Sequence, residues 1–148
     1  YRNLYKYQKE INDLTASIAE KRIDVPHKER SLYDKVETFM SETRCYTEPD
    51  ITRESLAGHL GTNREYLTMA IQENTGMTFT EYINHHRLEY TRQLLSDTKD
   101  ISIDNAYIAA GFNNKGTFYR LFKQKYEMTP KEFQKIAIES FYASLEFK

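Results

Sequence analysis

Cysteine is nearly missing from this chain: Cys45 stands alone, so no internal disulfide framework exists, and the lone thiol fits a reducing compartment. With no His or second Cys nearby in sequence, it reads as a structural thiol. Glycine and proline are almost as scarce, five and three in 148 residues, and no alternating β-type run occurs. These shortages predict a mostly helical protein of one domain or two small ones. No apolar run approaches the roughly eighteen residues of a membrane span, and no charged-then-apolar leader opens the chain. It opens on Tyr1 rather than Met and so reads as a fragment of a longer protein.

Signals for catalysis are also lacking. There is no glycine-rich phosphate loop and no nucleophile motif. His85 and His86 point about 100° apart on a helix and have no i+4 His or Cys to complete a metal site. His27 and His59 are isolated, Glu81 and Glu89 show no pocket, and the twelve tyrosines are scattered rather than arranged as a stacking platform. No enzyme activity, metal or cofactor is expected.

What is present is a pattern. Residues 102–130, SIDNAYIAAGFNNKGTFYRLFKQKYEMTP, read as two helices across a tight turn. The first spans about 103–110 and is broken by Gly111, which accepts positive φ. Phe112 returns to the core, and Asn113-Asn114 makes the turn and the N-cap. The second helix runs from Lys115 to about Tyr126. Phe118, Leu121 and Phe122 face inward at i, i+3, i+4, leaving Lys115, Gly116, Tyr119, Arg120 and Lys123 outward. That is the helix-turn-helix layout, which inserts a helix into the DNA major groove.

Net charge is −1, but it is unevenly spread: Lys115, Arg120, Lys123, Lys125, Lys131 and Lys135 face only Glu127 and Glu132 between residues 113 and 135. The basic excess falls on the second helix of this motif.

Residues 51–76 repeat the pattern. Thr52 caps a short helix carrying Leu56, Ala57 and Leu60, Gly61 breaks it, and Asn63 caps a helix with Leu67, Ala70 and Ile71 inward. Its exposed face offers Arg64, Glu65, Thr68, Met69 and Gln72, and Gly76 suits a left-handed C-cap. Aligning Gly61 with Gly111 brings Leu67 onto Phe118 after one inserted residue. Between the copies a helix over about 78–96, with Phe79, Tyr82, Ile83, Leu88, Leu94 and Leu95 apolar, would span about 27 Å. Successive major-groove segments lie about 34 Å apart.

Outside the repeat, residues 1–23 form an amphipathic helix with Leu4, Tyr7, Ile11, Leu14 and Ile18 as an a/d seam. Two readings of it stay open: a connector or dimerising helix, or a helix packed on its own domain. Asp24-Val25-Pro26-His27 marks a boundary. A further helix runs over about 28–44 with Leu32, Val36, Phe39 and Met40 apolar, and a last one follows Pro130.

The arrangement resembles the DNA-binding domain of AraC-type (AraC/XylS) bacterial transcription regulators over roughly residues 28–135. The resembling residues are Leu56-Ala57, Leu60-Gly61, Tyr66-Leu67, Gly76, Phe79, Tyr82-Ile83, Arg87-Leu88 and Leu94-Leu95. They continue through Ser102-Ile103, Gly111-Phe112, Phe118, Arg120, Phe122-Lys123 and Thr129-Pro130. The resemblance implies an all-α fold: two helix-turn-helix motifs joined by a long linking helix. Here the extra N-terminal helix would occupy residues 1–25, the bipartite domain 28–135, and a helical extension 136–148.

It also implies a transcription regulator that sets two recognition helices into adjacent major grooves of double-stranded promoter DNA. By position, Glu65, Thr68 and Met69, with Gln72 beside them, then Lys115, Gly116, Tyr119 and Arg120, become base readers. Arg64, Lys123 and the amides at Asn63 and Asn114 become phosphate contacts. RNA polymerase, a second copy joined through residues 1–23, and a sensor region outside this chain are the protein partners that go with it. The compartment would be the cytoplasm, including the cytoplasmic side of a membrane-anchored sensor.

Ala106-Tyr107 and Thr91 depart from the family pattern, which has Ile-Ala and Ala there. A helical interaction module that kept this fold without DNA contact is the other function class that fits.

Overall fold

The computed structural model describes residues 2–22, 31–97 and 100–146, and every regular element among them is a helix. In chain order these are α1 (Arg2–Arg22), α2 (Leu32–Thr43), a 3₁₀ turn at Cys45–Thr47, α3 (Arg53–His59) and α4 (Arg64–Thr75). Then come α5 (Phe79–Asp97), α6 (Ile103–Ala109), α7 (Lys115–Tyr126) and α8 (Pro130–Glu146). The boundary expected at residues 24–27 lies outside the described residues.

Two apolar cores share one wall. The first gathers Val36 and Met40 of α2, Tyr46, Leu56 and Ala57 of α3, Leu67 and Ile71 of α4, and Tyr82 and Ile83 of α5. The second gathers Leu88 and Leu95 of α5 with Ala106, Tyr107, Ala110, Phe112, Phe118 and Phe122. The N-terminal part of α5 thus serves one helix-turn-helix and its C-terminal part the other, while Tyr90 packs against both cores. At 19 residues α5 is about 28 Å long. Phe118 and Phe122 are wholly buried, each contributing roughly 1.5–3 kcal/mol over an exposed side chain.

The repeat extends to individual hydrogen bonds. Ser102 caps α6 through Asn105 N–H as Thr52 caps α3 through Ser55 N–H. After Gly61 the Thr62 N–H donates back to Ala57 O at 3.0 Å, and after Gly111 the Phe112 N–H donates to Tyr107 O at the same distance. Asn63 and Asn114 each accept the N–H three residues on, from Tyr66 and Thr117, both at 2.9 Å. Gly76 and Glu127 both end their helices in the left-handed region, at φ 71° and 61°. Glu127 takes without a glycine's freedom the conformation that Gly76 takes with it. The following helices both open on a capping box, Thr78 with Glu81 and Thr129 with Glu132.

The two departures from the family pattern are absorbed by packing. Tyr107 is buried and stacks on Phe118 with ring centroids 5.0 Å apart, so the bulky ring becomes part of the α6–α7 contact. Ala106, one residue earlier, is fully buried in the same core. Buried Thr91 satisfies its hydroxyl by donating to Arg87 O at 2.8 Å within α5.

At the C-terminus α8 is one continuous helix through Glu146. Phe133 joins the second core, and Gln134 Nε2 donates to Ile101 O at 2.8 Å. In α1 the seam residues Tyr7, Ile11 and Leu14 are exposed.

Candidate nucleic-acid interface

Helices α4 and α7 are each twelve residues long and start 51 positions apart. At 100° per residue, the side opposite buried Leu67 and Ile71 is centred on Met69, flanked by Glu65, Gln72 and Glu73. All four are exposed. The same construction on α7, opposite Phe118 and Phe122, is centred on Arg120, flanked by Gly116, Lys123 and Gln124, also exposed. Lys115 and Asn114 are exposed at the start of α7, though the Asn114 side chain is occupied as the cap.

Two residues expected to face outward do not do so fully. Thr68 is half-buried and its hydroxyl donates to Arg64 O at 2.7 Å. Tyr119 is half-buried and packs edge-on against Phe118, with the Lys115 ammonium 5.7 Å from its ring centroid. Both lie beside the buried row, three positions before Ile71 and Phe122, and so turn partly toward the core.

Ion pairs divide the cations. Arg64 lies 3.4 Å from Glu54 and 3.0 Å from Glu65, so the one cation of α4 is neutralised by its neighbours. Lys115 lies 3.3 Å from Asp104 across the turn. Lys125, counted in sequence with the basic face of α7, turns inward instead, pairing with Glu89 at 2.9 Å and donating to His85 Nδ1 at 2.9 Å. Arg120 and Lys123 enter no ion pair among the described residues. The outward face of α7 is therefore cationic, whereas that of α4 is apolar at its centre and anionic around it.

A family model described as a helix-turn-helix domain matches residues 56–136, from within α3 through α4, α5 and the whole second motif. The chain belongs to the AraC-type helix-turn-helix family. It is similar to the Escherichia coli K12 regulator YijO, 28% identical over 77% of this chain and 39% of that protein. The Escherichia coli K12 melibiose operon regulatory protein is 32% identical over 59% of this chain and 28% of that protein. The chain thus spans well under half the length of these curated relatives. Its fold is shared with the DNA-binding domain of AdpA, solved in complex with a target DNA, at a TM-score of 0.61 and 18% identity over 73% of this chain and 93% of that one.

Polar ties on α5 that sequence reasoning did not find add to the apolar wall shared by the two halves of this AraC-type domain. Arg87 donates from Nε to Tyr46 O at 2.7 Å and from Nη2 to Glu48 O at 2.9 Å, and its guanidinium lies 5.9 Å from the Phe112 ring centroid. One side chain thereby links the 3₁₀ turn of the first half to the second core. Glu89 accepts from the Tyr126 hydroxyl at 2.8 Å as well as from Lys125, joining α5 to α7. Toward α2, the Tyr82 hydroxyl donates to Glu37, and His86 Nε2 lies 4.0 Å from the same carboxylate. Glu89 and Lys125 are 36 positions apart, so no local pattern announces the pair. His85 accepts from Lys125, and His86 stacks on Tyr46 with ring centroids 5.3 Å apart.

These ties make stability pH-dependent. Burial, with the Lys125 ammonium next in weight, pushes the His85 imidazole down to about 4, and burial lowers His86 in the same direction. Burial acts to raise the Glu89 carboxyl, but hydrogen bonds from Lys125 and Tyr126 outweigh it and hold the group down at about 2. Unfolded histidine takes up its proton near 6.5, so stability is full above that pH and is lost as pH falls toward about 4. The Glu89 contribution is lost lower, as pH falls through the ordinary carboxylate range toward about 2. We expect the urea midpoint to drop between pH 7 and 5. His85→Gln, which keeps an acceptor for Lys125, should flatten that drop. An unchanged midpoint in the wild type over this range would remove His85 from the account.

Proposed function

We propose that this chain is the DNA-binding part of a transcription regulator that places α4 and α7 in two successive major-groove segments of a promoter. The observation that carries the reading is the duplicated, identically capped recognition helix mounted on one linking helix, α5. The length of α5, about 28 Å, approaches the roughly 34 Å between successive turns of one groove. Exposed Arg120 and Lys123 supply base and phosphate contacts on α7, and the first-turn amides of both helices supply further phosphate donors. Glu65, Met69, Gln72, Lys115 and Gly116 complete the contact set, with Thr68 and Tyr119 as supporting residues at its edge. This work is done at the chromosome, in the cytoplasm.

Selection of bound DNA from a random pool, followed by footprinting of the winner, tests the proposal. The expected result is an enriched motif with two protected segments about one helical turn apart. Protection of a single segment would mean that only one helix docks, and a pool that enriches nothing would favour the interaction module. The anionic surround of α4 is the observation behind that second reading. The same footprint addresses assembly. Tyr7, Ile11 and Leu14 expose an apolar seam on α1, and pairing of two copies through it would double the protected length. Contacts to RNA polymerase and a sensor region outside this chain belong to the whole regulator of which this reading makes it a part.

A further inference from the structure

We infer that Met69 reads a thymine methyl group, so that α4 and α7 recognise their half-sites by different chemistry. The inference rests on the proposed docking of α4 in a major groove and says what it reads there. Met69 sits at the centre of the face turned away from the core and is 51% exposed. Its counterpart 51 positions on is Arg120, which holds the same central place on α7. Nothing in the first core requires a thioether at this position, because Leu67 and Ile71 already fill the inward side.

The chemistry around Met69 narrows what it can contact. The one cation on α4, Arg64, is engaged by Glu54 and Glu65, and the flanks Glu65 and Glu73 are acidic. With Arg64 paired to two carboxylates at the start of the helix, the outward centre of α4 carries no side chain of the kind that contacts guanine bidentately. Of the four bases, thymine alone presents an apolar group in the major groove, its C5 methyl. A flexible, polarisable thioether adapts to such a methyl without strict geometry. Gln72, exposed three residues further along, is of the type that pairs bidentately with adenine N6 and N7, so the two outward side chains favour A·T pairs. Tyr66, also exposed, lies to one side of that centre line, and Met69 shares with it the rim of a shallow groove that includes Leu32 and Leu60.

Deoxyuridine in place of thymidine removes the C5 methyl and nothing else, which isolates this contact. Each thymine in the selected site is replaced singly, and affinity is measured for the wild type, Met69→Ala and Met69→Leu. One replacement, in the protected segment other than the one whose base preference depends on Arg120, should weaken the wild type about three- to fivefold, the worth of one buried methyl. Met69→Ala should be insensitive to that same replacement, and Met69→Leu, which keeps an apolar contact, should retain most of the sensitivity. Met69 is exposed, so both variants fold, and unfolding midpoints equal to the wild type check this. Specific binding in which no thymine shows a Met69-dependent response overturns the inference and leaves the proposed function standing. A selection that enriches no motif overturns both.

Discussion

Replacing Gly111 by alanine should destabilise the domain by about 3–5 kcal/mol, the largest effect expected of a single methyl group in this protein. Two independent penalties coincide there. The residue has φ +102°, outside what an L side chain readily adopts. An added Cβ would lie 2.7 Å from Tyr46 O, 2.8 Å from Thr47 O and 2.9 Å from Arg87 Nε. Two of these contacts are rigid backbone carbonyls, and Tyr46 O is also the acceptor for Arg87 Nε. Making room for the methyl would disturb a charge-assisted hydrogen bond that links the two halves. Gly61 is the built-in control. It occupies the same place in the first motif at φ +67°, but nothing lies within 4 Å of its would-be Cβ. Gly61→Ala should therefore cost about 1–2 kcal/mol, the backbone penalty alone. Urea unfolding of both variants measures the difference, and equal losses would show that crowding at Gly111 has no part in its role.

Much of this fold could be read from local signals because the helix ends are locally determined. Thr52, Asn63 and Asn114 cap the helices expected from them, and Ser102, for which no cap was expected, caps α6. The linking helix expected over 78–96 runs Phe79–Asp97. The capping boxes at Thr78/Glu81 and Thr129/Glu132 carry a plain sequence signature and went unused, although they set where α5 and α8 begin. The reading of charge failed differently. A tally over residues 113–135 treats all basic residues alike, but Lys125 lies three positions past Phe122, on the inward flank, where Glu89 and His85 hold it. Only the helical angle distinguishes it from Lys123, two residues earlier. Tyr107 was out of reach for another reason, since a bulky residue at a small-residue position is accommodated by its stack on Phe118.

The two halves therefore differ less in construction than in what they present. Caps, breaks and core positions agree almost bond for bond, so the scaffold places equivalent outward positions in equivalent frames. Buried positions change in size but stay apolar, whereas the outward positions change in chemistry: Glu65 corresponds to Gly116, Met69 to Arg120 and Gln72 to Lys123. A duplicated scaffold with unequal faces would read an asymmetric site, whose orientation fixes which half of the domain points along the promoter.

Arg120→Ala should accordingly lower affinity for the selected site by about 1–3 kcal/mol and relax preference at one base pair of the α7 segment. Arg120 is exposed at the centre of α7 and enters no ion pair among the described residues. It can therefore engage a base without first breaking an internal contact, as Arg64 and Lys115 would have to do. Arg120→Lys keeps the charge but loses the planar fork, and it should recover general affinity without recovering the base preference. Lys123→Ala provides the contrast: a phosphate contact carries no sequence information, so binding should weaken alike on all sequences and the salt slope should fall by about one. Fluorescence anisotropy across a salt series, on the selected site and on single-base variants, separates these outcomes. If Arg120→Ala weakened every sequence equally while Lys123→Ala changed base preference, the roles assigned to the two side chains would be reversed. Equal binding by wild type and Arg120→Ala at all salt concentrations would remove α7 from base recognition altogether.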